Sequence, residues 1–241
     1  MKKIKFTDSF NIPKQFYPKP ASKELPQWYK DTSSYGTPNK YDGVVGNFSN
    51  ATIKKCIPVF DALTSGYIIY SHCDVYVTQE IDDNGKLNPK YNYSSSPAID
   101  LHPIWQGDKH PARMIDFNTK TTKDFPKWMN PWVIETPLGY SCLFIQPVHR
   151  ESVFTILTGI VDTDKYVSNV NFPFVLNNSS FEGLIPAGTP VAQVIPFKRD
   201  SWKLEFENKK NININKNIMQ HLRSKFFDAY KLHYWSTKHY K

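Results

Sequence analysis

The stretch Thr158–Arg199, TGIVDTDKYVSNVNFPFVLNNSSFEGLIPAGTPVAQVIPFKR, constrains the fold more than any other part of the chain. A hydrophobic run ends at Asp162-Thr163-Asp164. An Asn177-Asn178-Ser179-Ser180 break follows, and then Pro186-Ala187-Gly188-Thr189-Pro190 leads into Val191–Phe197. Apolar runs this short, bounded by turn residues, suit strands and leave no room for helices of ordinary length. Asp162 and Asp164 are good turn residues after a strand, because their side chains hydrogen-bond nearby backbone. Gly188 supplies a backbone geometry that a side chain would disfavour. Gln193, inside the last run, is placed to satisfy buried backbone groups.

Further strands are expected at Trp132–Thr136, Tyr140–Gln146, Val153–Val161 and Val170–Leu176. Tyr67, Ile69, Cys73, Val75 and Val77 carry a period of two, and Asp82-Asp83-Asn84-Gly85 is a hairpin signal. Residues 86–112 read as loop-rich. Aromatic residues make up 15% of the chain, and 18 prolines outnumber 10 glycines, a balance that favours strands and rigid turns over a helical bundle. The expected class is all-β, a sandwich, barrel, clip or jelly-roll-type body, with an extended N-terminal arm and a C-terminal helix.

Three segments follow from the same reading. Residues 1–50 form a Pro-rich extended arm, since Pro13, Pro18, Pro20, Pro26 and Pro38 forbid a long helix. The LPQWYK segment at Leu25–Lys30 places an aromatic pair where it can anchor that arm. Residues 51–202 form the β domain. Residues 203–241 form a basic linker and an amphipathic helix on the stripe Ile218, Leu222, Phe226, Ala229 and Leu232. From Lys198 to Lys241, eleven Lys/Arg stand against four Asp/Glu, net +7 of a total +8. Such a segment suits nucleic acid or an acidic protein surface, or simply a solvated face. No run of about 18 apolar residues occurs, so no membrane helix is expected. MKKIKFTDSF lacks the apolar core of a signal peptide, so secretion through one is not expected. Cys56, Cys73 and Cys142 have neither disulfide nor zinc spacing.

Four segments resemble, in order, motifs of the dUTPase-like β-clip superfamily. They are Ser65–Val77 (SGYIIYSHCDVYV), Thr136–Pro147 (TPLGYSCLFIQP), Gly159–Tyr166 (GIVDTDKY) and Pro186–Phe197 (PAGTPVAQVIPF). The resemblance implies a homotrimer. It also implies a nucleoside triphosphate diphosphatase using Mg²⁺, with Asp162 as water-activating base, Ser141 on a phosphate, Tyr166 stacked on a deoxyribose and Gln193 near phosphate or metal-bound water. The sequence departs from that pattern at Ile68, where the family carries an Asp, and at Gly139-Tyr140-Ser141, where it carries an Arg–Ser pair. Its C-terminal end also has a Lys/Asn linker and helix in place of a Gly-rich lid. The P-x-P arm, the Asn130-Pro131-Trp132 entry and the PAGTPVAQVIPFKRDSW ending are also similar to proteins encoded by tailed bacteriophages.

His72-x-Asp74 with His149 has the residue types of a 2-His-1-carboxylate iron site. Ser141, His149 and Asp162 are the residue types of a hydrolase triad without a nucleophile elbow. The primary reading is a non-catalytic phage β-clip protein with an assembly or interaction role, in contact with copies of itself or other phage proteins. The alternatives are the diphosphatase on Asp162 and an iron-dependent oxygenase on His72, Asp74 and His149.

Overall fold

A computed structural model describes residues 2–36, 51–81, 83, 85, 87–93, 98–102, 125–206, 216–218, 220 and 229–241. The described residues are mostly β-structure with a few short helices, as the strand-and-turn pattern predicts. They divide into two compact units. One holds Met1–Ala21 and Gly66–Arg199, the other Ser22–Ser65 and Asp200–Lys241. These units differ from the expected segments 1–50, 51–202 and 203–241. The first twenty-one residues belong to the β unit because their backbone completes its sheets.

The β unit contains β1 (Lys5–Asp8), β2 (Lys19–Pro20), β3 (Tyr67–Tyr70), β4 (Val75–Ile81), β5 (Leu87–Tyr93), β6 (Ile99–His102), β7 (Phe125–Trp128) and β8 (Trp132–Glu135). It continues with β9 (Tyr140–Ile145), β10 (Phe154–Ile156), β11 (Gly159–Val161), β12 (Ser168–Asn169), β13 (Phe172–Leu176), β14 (Gly183–Ile185) and β15 (Pro190–Lys198). Their sheet orders are β1-β8-β12, β10-β13-β7-β6, β11-β9-β15-β3-β2 and β14-β4-β5. Each pairing among these strands is antiparallel.

Two strand expectations need correction. Val153–Val161 is not one strand: β10 pairs with β13 while β11 pairs with β9 in a different sheet. The chain changes sheets at Leu157, whose N–H donates to Pro173 O at 2.7 Å. Of the expected loop-rich region 86–112, the described residues 87–93 and 98–102 are mostly strand and contribute β5 and β6. Pro89 is tolerated within β5 because β5 lies at the edge of its sheet, where a missing N–H breaks no ladder. Of the predicted Asp82–Gly85 turn, Asp82 and Asn84 lie outside the described residues. Gly85 has φ +78° and the β4–β5 register closes on Ile81 opposite Leu87, as a hairpin requires.

Alternation fixes what each strand buries. Val75 and Val77 face the core while Tyr76 between them is exposed, so β4 shows water one face. β15 sits inside its sheet, and Val191, Ala192, Gln193 and Val194 are all buried. Trp132, Phe144, Phe154 and Phe174 are the largest fully buried side chains among the described residues, all in one continuous core. Gly66, entering β3, has φ +74°, and a Cβ there would stand 2.0 Å from Val194 O. Only glycine permits β3 to cross that close to β15.

In the second unit, α1 (Gln27–Asp31) carries Trp28 and Tyr29, and α2 (Ile57–Thr64) starts with Pro58 in its first turn. Tyr29 is buried, its ring stands 6.3 Å from Phe60, and its hydroxyl donates to Lys54 O at 3.2 Å. Tyr29 thus packs within its own unit, while Trp28 is 40% exposed. Trp235 donates from Nε1 to both Asp61 carboxylate oxygens at 3.0 Å, and its ring approaches Phe60. Residues 216–218 and 220 are helical, and α3 spans Ala229–His233. Leu222 and Phe226 of the expected stripe lie outside the described residues, and Leu232 within α3 is exposed rather than buried.

Candidate functional site

The end of β15, the start of β9 and the turn after β11 converge on one polar cluster. The β15–β9 register sets Phe197 opposite Ser141 and Lys198 opposite Tyr140. That pairing delivers Arg199, the next residue, to the mouth of the 137–140 turn, where its N–H donates to Gly139 O at 2.9 Å. β11 pairs Val161 with Cys142, so Asp162 follows beside Ser141.

Every side chain of the cluster is engaged with another. Ser141 Oγ donates to Asp162 Oδ1 at 2.6 Å. Arg199 Nη1 donates to Ser141 Oγ at 3.0 Å, to Tyr140 O at 3.0 Å and to Asp164 Oδ1 at 2.8 Å. Its Nη2 donates to Asp164 Oδ2, giving a two-pronged guanidinium–carboxylate pair. Asp164 Oδ2 also accepts from Gly139 N at 2.8 Å. Asp162 Oδ1 stands 3.2 Å from Arg199 Nη1. Beneath this layer Thr136 and Thr163 share a hydroxyl hydrogen bond of 2.7 Å, and Thr163 Oγ1 lies 3.4 Å from Cys142 Sγ.

The charges follow from these contacts. The Arg199 hydrogen bond, aided by the Gly139 N–H, holds the Asp164 carboxyl down at about 2 despite desolvation. The Asp164 side chain is only 2% exposed, against 50% for Asp162. The Ser141 hydroxyl holds Asp162 below the usual carboxylate range and Arg199 adds to the effect, while desolvation and, less, the Asp164 charge oppose it. Arg199 is pushed up in return, chiefly by Asp164. Burial pushes the Cys142 thiol up to about 11, against a small opposing effect of the Thr163 hydroxyl.

Of the expected site residues, the fold brings together Ser141 and Asp162. Gln193 lies on β15 four residues before Phe197, about 13 Å away by strand rise. It is 1% exposed, and its Oε1 accepts from Val148 N at 3.2 Å. This is the buried-backbone role that its position in the apolar run suggested. Tyr166 is in the turn after β11 with an exposed ring, and its N–H donates to Asp162 O at 2.8 Å. Ile68, where the resemblance calls for an Asp, is buried with Ala21 and Tyr70. The sequence reading missed Arg199 altogether and took Asp164 only as a turn residue. The signal was present in a lone Arg directly after a buried strand, two residues past the last apolar side chain.

Neither metal reading fits the residues present. A magnesium ion needs several oxygen ligands in near-octahedral array. Here the half-exposed carboxylate of Asp162 already faces a guanidinium, and no second free carboxylate accompanies it in the cluster. His72, Asp74 and His149 do not come together: among the described residues no group of three or more His, Cys, Asp and Glu could hold a metal ion. Asp74 Oδ1 instead accepts from Ala187 N at 2.7 Å and fixes the 186–189 turn. His72 is half-buried, with its pKa lowered by desolvation, and His149 sits in a turn at φ +53°. The iron-site expectation is corrected on the ground that these three side chains form no common metal-binding group.

No family model and no curated protein matches the chain. Among solved structures it is similar to a mutant dUTPase from phage phi11 of S. aureus, a protein described with a coordinated structural Mg(II) ion. Identity is 13% over 61% of this chain and 86% of that chain, with a TM-score of 0.32. At that distance the likeness carries no argument about activity here. What stands is the class: an all-β protein with a closed polar latch at one end of its central sheet.

Proposed function

We propose that this chain is a non-catalytic β-clip protein, of the kind phages encode, with an assembly or interaction role, self-associating as the homotrimer that the sequence resemblance implies. One observation carries the reading. The groups that a diphosphatase would keep free for substrate are consumed by each other. Arg199 spends its guanidinium on Asp164, Ser141 spends its proton on Asp162, and Asp162 is held ionised with a lowered pKa. A general base works best with a pKa near the operating pH, and a carboxylate pushed further below it abstracts protons less readily. The cluster also clasps three separate segments, β9, β15 and the turn after β11, which is the work of a structural latch. The basic stretch Lys198–Lys241 offers a second contact surface, for acidic protein partners or nucleic acid.

A second reading is favoured by a specific contact. Arg199 places a guanidinium on Ser141 Oγ, supplying through space the cation that the Gly139-Tyr140-Ser141 turn lacks in sequence. A dUTPase-like diphosphatase with Asp162 as base is the activity this would support. One assay separates the two: incubate the pure protein with dUTP or dCTP and Mg²⁺ and measure pyrophosphate. The structural reading expects none above a no-protein control. Release that vanishes in Asp162→Ala would overturn it.

A further inference from the structure

Immediately after Arg199 the chain runs through Asp200-Ser201-Trp202-Lys203-Leu204-Glu205-Phe206 outside any helix, strand, turn or bend. Trp202 is 91% exposed, Leu204 78% and Phe206 90%. Three large apolar side chains at a spacing of two, all in water, are the pattern of a half-buried strand with nothing to bury it. Lys203 and Glu205, between them, form an ion pair at 3.0 Å and so lie on a common side. Both are well exposed, at 85% and 73%, so this pair is weak and free to exchange partners.

The order of residues says what this segment would pair with. Laid antiparallel against a second copy and centred on Leu204, the segment is complementary to itself. Lys203 falls opposite Glu205, Glu205 opposite Lys203, Trp202 opposite Phe206, and Leu204 opposite Leu204. Opposite charges and aromatic residues directly across an antiparallel pair are both favourable, and like charges there are not. Shifting the register by one residue would set charged side chains against apolar ones. We propose that residues 202–206 are a self-recognition strand, by which this chain pairs antiparallel with the same strand of a second copy. The pairing is two-fold and requires no other protein. It stands apart from the assembly reading, since a diphosphatase could carry the same strand.

The test uses the full chain with the charge-reversal variants Lys203→Glu and Glu205→Lys, the double variant carrying both, and two cysteine variants. All five variants change only exposed positions and leave the β core intact. Association is read as mass by light scattering over a concentration series, from 28.0 kDa for one chain. Wild type should rise to pairs, or to pairs of whatever larger unit the bodies form. Each single reversal should weaken that step by roughly tenfold, because it sets like charges across both symmetric pairs. The double variant should restore it. Leu204→Cys should form a disulfide-linked dimer under mild oxidation, since residue 204 meets itself. Ser201→Cys should not, because the two copies of residue 201 would lie about 20 Å apart. The proposal is overturned if wild type shows no two-fold step. It is also overturned if the single reversals behave like wild type or the double variant fails to recover. Equal cross-linking at 201 and 204 would overturn it too.

Discussion

Replacing Gly66 with Ala isolates one physical constraint on the central sheet. The new Cβ would stand 2.0 Å from Val194 O, 2.8 Å from Val194 C and 3.1 Å from Ile195 Cα. All three are backbone atoms of β15, so no side chain can swing aside, and β3 must retreat from β15 by about 1 Å to reach an ordinary contact. The left-handed φ of +74° costs a further ~1–2 kcal/mol for any residue with a Cβ. Loosening the Tyr67–Val194 end of the ladder forfeits about 1 kcal/mol of hydrogen bonding. Ala returns only ~0.4–1 kcal/mol by restricting the unfolded chain. The balance of these contributions is a loss of about 1–2.6 kcal/mol, equivalent to roughly 2–10 °C in Tm for a chain of this size. Two control glycines separate the contributions. Gly85 has φ +78° and nothing within 4 Å, so Gly85→Ala should cost only ~0–1.6 kcal/mol, the conformational part less the same unfolded-chain return. Gly159 has neither a positive φ nor a close neighbour, so Gly159→Ala should be neutral or slightly stabilising. Urea unfolding of the three variants, with hydrogen exchange at the β3 and β15 amides, reads both the size and the place of the effect. If Gly66→Ala lies within about 0.5 kcal/mol of Gly85→Ala, the close-approach reasoning is refuted.

The polar latch predicts an acid-sensitive contribution to stability. The Asp164 pKa is about 2 in the folded chain, below its ordinary 3.8. Its stabilising effect is therefore fully present above that ordinary value and is lost as pH falls toward about 2. Wild type should lose stability more steeply than Asp164→Asn across that window, and parallel pH–stability curves would contradict the assignment. The Cys142 thiol, buried and raised to about 11, should resist thiol reagents until the chain unfolds, whereas the partly exposed Cys56 should label in the native state. Mapping the labelled cysteines by mass spectrometry checks this, and native labelling at Cys142 would count against it.

The parts of the fold legible in the sequence are those set by neighbours in the chain. Trp132–Glu135, Tyr140–Ile145, Phe172–Leu176 and Pro190–Lys198 are strands close to where their apolar runs and flanking turn residues place them. Gly188 takes φ +85° in the expected turn, its N–H donating to Ser71 O. The helix stripe was less reliable, because Leu232 has the right spacing and yet stays in water. Periodicity reports which side chains share a face, and it does not report whether anything covers that face.

By itself the sequence determined the all-β class, most strand positions, the turn glycines and the buried role of Gln193. It also carried the self-complementary order of residues 202–206. All of these depend on residues a few positions apart. The tertiary structure alone decided which strands pair, and with that everything else at the site. It split Val153–Val161 between two sheets and drew Lys5–Asp8 into the β unit beside Trp132–Glu135. It also carried Arg199 to Ser141, 58 residues away, and to Asp164, 35 residues away. Strand register transmits position across such distances with ångström accuracy, while the local pattern that marks a strand is the same whichever partner it finds. That is why the sequence could present Ser141 and Asp162 as candidates, and only the register of β15 on β9 could show them locked to an arginine.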